Sequence, residues 1–305
     1  MTDIAVIGGG PAGLTAALYA ARAGKNVTVY ERECLGGQIT RAPLVENYPG
    51  TGTISGLQLG DRMAAQAEEA GVGISLTDVQ KIVRESSGKF RLDTDDGEYY
   101  SKSVIYACGA RPKTLGLSGE AELIGHGISY CALCDGSFFK EQPVAVVGGG
   151  NSAFDEALLL SERCSHVTLI HRSDRFRAEQ ILVERVKLRN NISLLTDKTV
   201  SELIQENGQL TGLALKSKNG KDETLPVSAL FVALGRLPDT QVLVDLAALD
   251  ENGYVISDEK MEVSETPGLF VAGDCRLKSV RQLTTAVSDG AVAAVSACTY
   301  LKKQK

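Results

Sequence analysis

The chain has 305 residues, of which 43% are hydrophobic and 23% are charged. This length is about twice that of a usual domain, so two domains with sizeable cores are predicted. The 38 acidic residues outnumber the 32 basic ones and give a net charge of −6, which argues against nucleic acid as a partner because phosphate binding needs a clustered basic face.

Membrane insertion and secretion are also disfavoured. No apolar run approaches the ~20 residues that span a bilayer, and Met1–Asp3 leads into Ile4–Ile7 without the basic segment of a signal peptide. Seven cysteines are scattered along the chain, and the cytosol would keep most of them reduced. We therefore expect a cytoplasmic protein with no membrane partner and no structural disulfide network.

The first predicted elements are a strand, a glycine-rich turn and a helix. The strand is Ile4–Ile7, the turn reads GGGPAG over Gly8–Gly13, and the helix is predicted over Leu14–Ala23. Glycines here allow a tight turn, close approach of a pyrophosphate and close helix–strand packing, and the helix N-terminus offers free N–H groups to phosphate. The candidate dinucleotide-binding residues of this first glycine turn are Gly8, Gly10, Pro11, Ala12 and Gly13.

A second strand, Val27–Tyr30, ends on Glu31, whose carboxylate can accept hydrogen bonds from an adenosine ribose. A carboxylate at this position would repel a 2′-phosphate. The first glycine turn is therefore predicted to bind FAD. A glycine-rich structural turn without a ligand is the alternative.

Cys131 and Cys134 form a CxxC pair within the segment SYCALCDG, Ser129–Gly136. Three interpretations are open: half of a zinc site, two packed core cysteines, or a disulfide that opens and closes. Structural zinc needs four ligands, but the chain has no second CxxC and only three histidines. The spacing favours thiol–disulfide exchange, with Asp135 as a proton carrier or, alternatively, as a helix N-cap.

The strand–turn–helix pattern returns after the cysteines. Val144–Val147 is a predicted strand, Gly148–Ala153 reads GGGNSA, Phe154–Arg163 is a predicted helix, and Val167–Ile170 is the second strand. This repeat predicts a second dinucleotide-binding unit built like the first. The candidate residues of this second glycine turn are Gly148, Gly150, Asn151, Ser152 and Ala153.

Basic residues follow the second strand of this repeat, where the first repeat has Glu31. The segment reads HRSDRFR over 171–177. Guanidinium groups form charge-assisted pairs with phosphate, so His171, Arg172 and Arg177 predict a site for the 2′-phosphate of NADPH. The alternative is a solvated loop that is basic by chance.

The C-terminal part of the chain carries another flavin-type signal. Glu265–Asp274 is predicted as a strand that ends on a Gly-Asp pair, and Val287–Leu301 as the helix after it. Gly273 permits close approach of the backbone, and Asp274 can accept hydrogen bonds from ribitol hydroxyls. If this part belongs with the first glycine turn, the second repeat is an insertion.

The two junctions of this insertion are Ala107–Pro112 and Ala233–Pro238, each of which ends a hydrophobic strand in glycine and then proline. They are predicted to be paired crossing strands. We expect an FAD-binding domain of residues 1–112 and 242–305, and an NADPH-binding domain of residues 113–241 that carries the CxxC pair. The fold class is α/β: two Rossmann-like three-layer dinucleotide-binding domains, the second inserted into the first.

Seven short motifs carry a resemblance to a known family: GGGPAG at 8–13, GGQ at 36–38, ENYPG at 46–50, CALCDG at 131–136, GGGNSA at 148–153, AGD at 272–274 and RQLTTA at 281–286. The chain resembles the low-molecular-weight, bacterial-type thioredoxin reductases of the pyridine nucleotide disulfide oxidoreductase superfamily. The resemblance covers essentially the whole chain. The branch of the superfamily with its dithiol in the flavin domain is not matched.

The resemblance implies an FAD enzyme that moves electrons from NADPH to the disulfide of thioredoxin or a thioredoxin-like protein. It implies that Cys134 faces the flavin, that Cys131 attacks the partner's disulfide, and that Asp135 protonates the leaving thiolate. A homodimer is also implied. The residues implied to hold FAD are Glu31, Gly37, Gln38, Asn47, Gly273, Asp274, Arg281 and Gln282.

The resemblance further implies that nicotinamide and dithiol take turns at the flavin, through rotation of the inserted domain about its two junctions. Phe138 and Phe139 would then anchor the protein partner. Packing of these two rings in the core is the alternative.

Two positions depart from the family pattern. The NADPH loop typically reads HRRxxFR, and Ser173 stands in place of the second arginine. Loss of one charged hydrogen bond costs about 1.5–3 kcal/mol, so NADH and reduced ferredoxin stay open as donors beside NADPH. Ser137 replaces an aromatic residue. A flavin dithiol oxidase, a reductase serving a peroxidase and a non-catalytic flavin redox sensor are alternative functions.

Overall fold

The computed structural model describes residues 1–42, 44–218 and 220–304. It divides into two compact units: unit 1 is Met1–Arg111 with Leu237–Lys305, and unit 2 is Pro112–Arg236. Unit 2 is one continuous segment inserted between the two parts of unit 1. The expected domain limits placed Pro112 with the first domain and residues 237–241 with the second.

Helices and strands follow one another in the order typical of dinucleotide-binding folds. The strands are β1 (Thr2–Ile7), β2 (Val27–Glu31), β3 (Gly73–Leu76), β4 (Val79–Arg84), β5 (Phe90–Thr94), β6 (Gly97–Tyr106), β7 (Ala110–Pro112), β8 (Ile128–Ser129), β9 (Pro143–Val147), β10 (His166–Ile170), β11 (Ile192–Leu195), β12 (Lys198–Glu206), β13 (Gln209–Ser217), β14 (Glu223–Pro226), β15 (Ala229–Val232), β16 (Arg236–Pro238) and β17 (Leu269–Val271). The α-helices are α1 (Pro11–Arg22), α2 (Gly56–Glu69), α3 (Ala132–Asp135), α4 (Asn151–Ser161), α5 (Gln180–Lys187) and α6 (Leu283–Lys303). Single 3₁₀ turns cover Gly37–Arg41, Gly136–Phe139, Gln241–Leu243 and Gly273–Cys275.

Unit 1 is built on one seven-stranded sheet. Its order is β3-β2-β1-β6-β5-β4, and β17 pairs with the end of β6. The strands β1, β2, β3, β6 and β17 run parallel, whereas β4 and β5 are antiparallel to their neighbours. Ile4, Ala5 and Val6 of β1 are fully buried, as expected for a parallel strand that is covered on both faces.

Helices α1 and α6 pack on one face of this sheet, where Val6, Ala16, Phe270 and Ala293 share one core. On the other face, side chains of β1, β4, β5 and β6 share a core with Leu243, Ala247 and Val255, which follow the second junction. Helix α6 begins at Leu283 rather than at the predicted Val287. The earlier start follows from a capping box, in which the Gln282 backbone N–H donates to Thr285 Oγ1 at 3.1 Å.

Unit 2 repeats the three-layer arrangement. Its five-stranded parallel sheet has the order β11-β10-β9-β15-β8, and β12-β13-β14 form a separate antiparallel sheet. Helices α4 and α5 cover one face through Phe154 and Val183, while Leu213 and Leu215 of β13 cover the other. The predicted α/β class, with two Rossmann-like three-layer units, is confirmed.

The predicted strand over Glu265–Asp274 is wrong for most of its length. Only Leu269–Val271 is a strand. Pro267 has no N–H for a sheet, Gly268 adopts a positive φ of 90°, and the Leu269 N–H donates to the Thr266 carbonyl at 3.0 Å. A turn therefore precedes the short strand.

The two junctions form a pair of short strands, β7 and β16. On the side of unit 2, the Lys113 N–H donates to the Gly235 carbonyl at 2.9 Å, and on the side of unit 1, the Asp239 N–H donates to the Gly109 carbonyl at 3.3 Å. The glycine–proline pattern of the sequence correctly predicted these paired crossing strands.

Close packing of α6 on α1 gives a first prediction. A Cβ on Gly290 would collide with the Ala12 carbonyl oxygen and lie 3.2 Å from the Ala16 nitrogen. We expect Gly290→Ala to lower the free energy of unfolding by about 1–3 kcal/mol, because the helices must move apart, even though alanine favours a helix. Urea unfolding of the variant and of the wild type measures this loss.

The matched control is Ser288→Ala on the same helix, since Ser288 is exposed. A change within about 0.5 kcal/mol is expected there. Equal losses in the two variants would contradict the packing explanation.

Candidate active site

Cys131 and Cys134 are joined by a disulfide bond, with their Cα atoms 5.3 Å apart. Cys131 precedes the short helix α3, and its Sγ accepts a hydrogen bond from the Cys134 N–H at 3.2 Å. Cys134 is exposed and Cys131 is half-buried within the chain. The alternative of two packed core cysteines is therefore wrong, and the disulfide is placed for exchange.

The disulfide segment is held on the body of unit 2 by the residues around it. Ala132 is buried in the core that α4 shares with the parallel sheet, and a Cβ on Gly136 would lie 2.9 Å from Leu160 Cδ2. The Phe139 ring packs edge-on against Phe231 with centroids 5.9 Å apart. Phe139 is thus a core residue, which corrects its predicted role as a partner anchor.

Phe138, in contrast, is 40% exposed, and Leu133 between the two cysteines is 54% exposed. These are the apolar side chains that the disulfide segment presents to solvent. The aromatic pair predicted from the sequence is therefore divided between the surface and the core.

Asp135, the last residue of α3, accepts a hydrogen bond from Ser129 Oγ at 2.6 Å. Burial raises the pKa of Asp135, and the Ser129 hydrogen bond opposes this rise without cancelling it. Cys131 occupies the N-cap of α3. Asp135 stands in the N-cap position of the turn Gly136–Phe139, but its side chain makes no capping hydrogen bond with the described residues there, so a capping role for this side chain is wrong. Sequence reasoning missed Ser129, although it opens the segment that contains both cysteines.

A buried carboxylate fixes the chain just before the disulfide. Glu120 is 5% exposed and accepts four hydrogen bonds. Its donors are Tyr130 Oη at 2.7 Å, Leu115 N at 2.8 Å, Gly116 N at 2.8 Å and Leu117 N at 3.3 Å. Sequence reasoning missed Glu120 as well, because a single glutamate in a loop gives no pattern.

The second glycine turn lies between β9 and α4 in the same unit. Gly150 is the N-cap of α4, and no side chain caps the helix. No atom of the described residues lies within 4 Å of a Cβ placed on Gly150. The backbone N–H groups at this helix start can therefore reach a phosphate, as the sequence predicts.

Asn151 and Ser152 differ in what they offer to a ligand. Asn151 Nδ2 donates to Glu179 Oε1 at 2.9 Å, and Asn151 Oδ1 accepts from the Glu179 N–H at 2.8 Å, so this side chain is already paired. Ser152 is exposed. Ala153 is buried, and its Cβ lies 2.7 Å from the position of a Cβ on Gly148.

The basic segment 171–177 folds back onto this turn. The Arg177 N–H donates to the Gly149 carbonyl at 2.8 Å, and the His171 ring fills the space that a side chain on Gly149 would need. Ser173 Oγ donates to the Arg175 carbonyl at 3.0 Å. Arg172 and Arg177 are exposed, so their guanidinium groups stand in solvent near the turn.

The first glycine turn, between β1 and α1 in unit 1, has the same design. Gly8 has a φ of 101°, which only glycine adopts readily, and a Cβ on Gly13 would collide with the Gly8 carbonyl oxygen. Gly10 is the N-cap, followed by Pro11 as the first helical residue, and no side chain caps α1. A Cβ on Gly10 would project into space that no described atom occupies within 4 Å.

Residues 31–38 fold against this first turn. Glu31 Oε2 accepts from the Gly9 N–H at 2.6 Å, and Glu31 Oε1 accepts from the Glu33 N–H at 2.8 Å. A Cβ on Gly37 would lie 3.0 Å from Gly10 Cα. Gln38 Nε2 donates to the Ala110 carbonyl at 2.9 Å. Glu31 and Gly37 therefore lie at the turn, as the motifs imply.

The Gly-Asp pair after β17 returns to the same place. A Cβ on Gly273 would lie 2.9 Å from Ala12 Cβ in α1. Asp274 Oδ1 is buried and accepts no hydrogen bond from the described residues, although Lys278 Nζ lies 3.4 Å away. An oxygen of this kind suits a hydroxyl donor from a ligand, and the ribityl chain of FAD supplies such hydroxyls.

The remaining predicted flavin residues are brought together as well. Arg281 Nε donates to the Asp274 carbonyl at 3.3 Å, and its guanidinium lies 3.9 Å from the Tyr254 ring centroid. Asn47 Nδ2 donates to Gln282 Oε1 at 3.4 Å. Together with the open space at Gly10, these contacts fit the predicted FAD site.

Sequence reasoning missed the buried charge that supports Gly273 and Asp274. Asp289 of α6 is 5% exposed and accepts from the Gly273 N–H at 3.1 Å, from Arg276 Nε at 3.0 Å and from Lys278 Nζ at 2.9 Å. The two cations offset the two carboxylates in this cluster. An aspartate inside a predicted alanine-rich helix was the only available signal.

Comparison with known proteins places the chain in a family. The sequence profile described as "Pyridine nucleotide-disulphide oxidoreductase" matches residues 2–290, which include both glycine turns, the disulfide and the Gly-Asp pair. The chain therefore belongs to the pyridine nucleotide-disulphide oxidoreductase family. Among the described residues, no helix is both long and apolar enough to cross a bilayer.

Within this family the chain is similar to thioredoxin reductases over its full length. It is 39% identical to the thioredoxin reductase of Listeria monocytogenes, covering 99% of this chain and 95% of the relative, and 38% identical to that of Bacillus subtilis with the same coverage. The solved thioredoxin reductase of Streptococcus pyogenes is 38% identical and superposes with a TM-score of 0.94 over 99% of both chains. The resemblance drawn from the seven motifs is confirmed.

The hydrogen bonds of Glu120 give a second prediction. Glu120→Gln replaces one carboxylate oxygen by an amide NH₂, which cannot accept a hydrogen bond from the N–H groups that donate to Glu120. Because each unsatisfied buried group costs about 1–3 kcal/mol, we expect a lower melting temperature. Faster proteolysis at the disulfide segment should accompany it. Circular dichroism during heating and limited proteolysis measure the two effects.

Glu122→Gln is the matched control, since Glu122 is exposed two residues away. It should melt with the wild type. A Glu120→Gln protein as stable as this control would show that the carboxylate does not hold the loop.

Proposed function

We propose that this chain is an FAD enzyme that transfers electrons from NADPH to the disulfide of thioredoxin or a thioredoxin-like protein. The observation that carries the proposal is the accessible Cys131–Cys134 disulfide, which lies beside the half-buried carboxyl of Asp135 in the unit that holds the second glycine turn. Full-length similarity to thioredoxin reductases supports this protein substrate over a dithiol oxidase or a redox sensor.

FAD, when bound, supplies the two-electron carrier between the nicotinamide and the disulfide. The N–H groups at the start of α1 bind its pyrophosphate, and Glu31 accepts from its ribose. Asp274 Oδ1 accepts from a ribityl hydroxyl. Gln38 and Asn47 would also hold FAD, and Arg281 and Gln282 would lie near its isoalloxazine ring.

NADPH binds at the second glycine turn of unit 2. The start of α4 holds the pyrophosphate through backbone N–H groups, in the space above Gly150. Arg172 and Arg177 hold the 2′-phosphate. The His171 ring packs against Gly149 and so supports the loop. This arrangement favours NADPH over NADH and over reduced ferredoxin.

The dithiol then reduces the protein partner by thiol–disulfide exchange. The Cys131 thiolate attacks one sulfur of the partner's disulfide, which forms a mixed disulfide and releases the partner's other sulfur as a thiolate. Cys134 gives up its proton and attacks Cys131 Sγ, which breaks the mixed disulfide, releases the partner's second sulfur as a thiolate and restores the Cys131–Cys134 bond. The partner has gained two electrons and the enzyme has lost two.

Asp135 is the acid that protonates a sulfur when the enzyme's disulfide opens. Because burial raises the pKa of Asp135, the carboxyl keeps its proton to higher pH than an exposed aspartate does. The exposed Leu133 and Phe138 provide the apolar contact for the partner.

The protein works as a cytoplasmic homodimer without nucleic acid or membrane partners. Support for self-association comes from unit 1, where the neighbouring helices α1, α2 and α6 expose Tyr19, Leu57 and Val295. Contiguous exposed apolar patches mark subunit interfaces, and these three side chains are the candidates for such a patch. The acidic net charge of −6 disfavours nucleic acid.

The third prediction tests the dithiol. Cys134→Ser should give a folded, yellow protein whose thioredoxin reduction falls to background, because one sulfur alone cannot complete the exchange. NADPH-dependent reduction of thioredoxin, followed with a colorimetric disulfide, measures the loss.

Cys298→Ala in α6 is the matched control, since Cys298 is a buried free cysteine of unit 1. It should retain wild-type turnover. Thioredoxin reduction that persists in Cys134→Ser would defeat the proposed function.

The fourth prediction tests the donor. Arg172→Ala and Arg177→Ala should each raise the KM for NADPH about 10-fold or more, the effect of one lost charged hydrogen bond, and leave the KM for NADH nearly unchanged. Ser173→Arg should shift the preference further toward NADPH. Steady-state kinetics with both nucleotides measures the ratio.

Arg163→Ala, an exposed arginine in the loop after α4, serves as the control and should not change that ratio. Equal rises in the two KM values for Arg172→Ala would argue against a 2′-phosphate site at this loop.

A further inference from the structure

We infer that Ser129 is a positioning residue for opening the disulfide: its hydroxyl holds the Asp135 carboxyl in a fixed place relative to Cys131. This inference rests on the proposed function, because it takes Asp135 to be the acid of the reaction.

The geometry connects three groups through one oxygen atom. Ser129 Oγ donates to Asp135 Oδ2 at 2.6 Å and accepts from the Cys131 N–H at 3.0 Å. The acid and the backbone of the interchange cysteine are therefore tied to the same hydroxyl. A rotation of either group would break a hydrogen bond in a place with little water to replace it.

The hydroxyl itself is well fixed. Ser129 is 4% exposed and ends β8, where it pairs with Phe231 of β15 in the parallel sheet. The sheet thereby sets the position of the oxygen, and the oxygen sets the position of the carboxyl. This is the support that an active-site acid needs to stay within reach of its target.

The bond also leaves half of the carboxyl free. Among the described residues, Ser129 Oγ is the only donor to Asp135, and it bonds Oδ2. Oδ1 has no hydrogen-bond partner in the described part of the protein. Ser129 thus fixes one oxygen of the carboxyl and leaves the other for proton transfer.

The ionisation of Asp135 depends on few groups. Burial raises the pKa of Asp135 and the Ser129 hydroxyl lowers it, and burial has the larger effect. Helix α4, which packs against α3, carries the titratable residues Asp155 and Glu156. The strands β8 and β15 and the turn Gly136–Phe139 carry no charged side chain.

The supported step is balanced as follows. Two electrons that NADPH supplies by way of bound FAD break the Cys131–Cys134 bond, which leaves two sulfurs with one negative charge each. Asp135 gives its proton to one of them and becomes a carboxylate. The products are one thiol, one thiolate and one carboxylate. Ser129 then donates to the newly formed carboxylate through the bond already in place.

The test compares the rate of disulfide reduction in a single anaerobic turnover with NADPH across pH. In the wild type, the rate falls as Asp135 loses its proton. Ser129→Ala removes a donor that stabilises the carboxylate, so the pKa of Asp135 rises and this fall moves to higher pH by about one unit. The plateau at low pH drops about tenfold, because the acid is no longer held in place.

Ser129→Thr keeps the hydroxyl and should restore the wild-type pH profile. Ser161→Ala, at a buried serine at the end of α4 whose hydroxyl donates to the Leu158 carbonyl, should leave rate and profile unchanged. If Ser129→Ala does not fold, Ser129→Thr is compared with Ser129→Val, because threonine and valine have nearly the same shape and only threonine has a hydroxyl. Only Ser129→Thr should then keep the wild-type pH profile.

Asp135→Asn separates this inference from the proposed function. It should remove the fall of the rate with pH and cut the plateau about 100-fold, and adding Ser129→Ala to it should change nothing further. A wild-type profile in Ser129→Ala, beside the expected loss in Asp135→Asn, overturns the role of Ser129 and leaves Asp135 as the acid. An unchanged profile in Asp135→Asn removes the acid itself.

Discussion

Each dinucleotide turn of this protein depends on one backbone passing directly against another with no side chain between them. A side chain on Gly13 would collide with the Gly8 carbonyl oxygen, and one on Gly290 would collide with the Ala12 carbonyl oxygen. A Cβ on Gly148 would lie 2.5 Å from the Ala233 carbonyl oxygen. These approaches bring a strand end, a helix start and a supporting helix together. The N–H groups of the helix start can face a phosphate only because the backbones are this close.

The sequence predicted those parts of the molecule that local spacing determines. The two glycine turns, the acid at the end of β2 and the CxxC pair each lie within a short window, and strand, turn and helix follow in a fixed order. The inserted topology was predictable too, because Gly109 and Gly235 each stand between a hydrophobic strand and a proline. The arginine loop was recognised from charge alone.

What the sequence could not provide depends on burial and on contacts between distant residues. Asp289 accepts a hydrogen bond from Gly273 only when α6 packs beside β17. Glu120 accepts a hydrogen bond from Tyr130 only once the chain has folded around it. Whether the Phe139 side chain belongs to the core or to the surface depended on its contact with the Phe231 ring. Ser129 could be seen in the sequence as a serine two residues before Cys131, but no pattern indicated that Asp135 and Cys131 share its hydroxyl.

The inserted topology has a consequence for how the protein is made. Strand β17 must pair with β6, and α6 must pack on α1, but residues 112–236 are synthesised before β17 and α6. Unit 2 is continuous, so it can fold while the ribosome is still translating the chain. The first 111 residues must meanwhile remain without their last strand and helix. Unit 2 can therefore fold before unit 1 completes its sheet and its core.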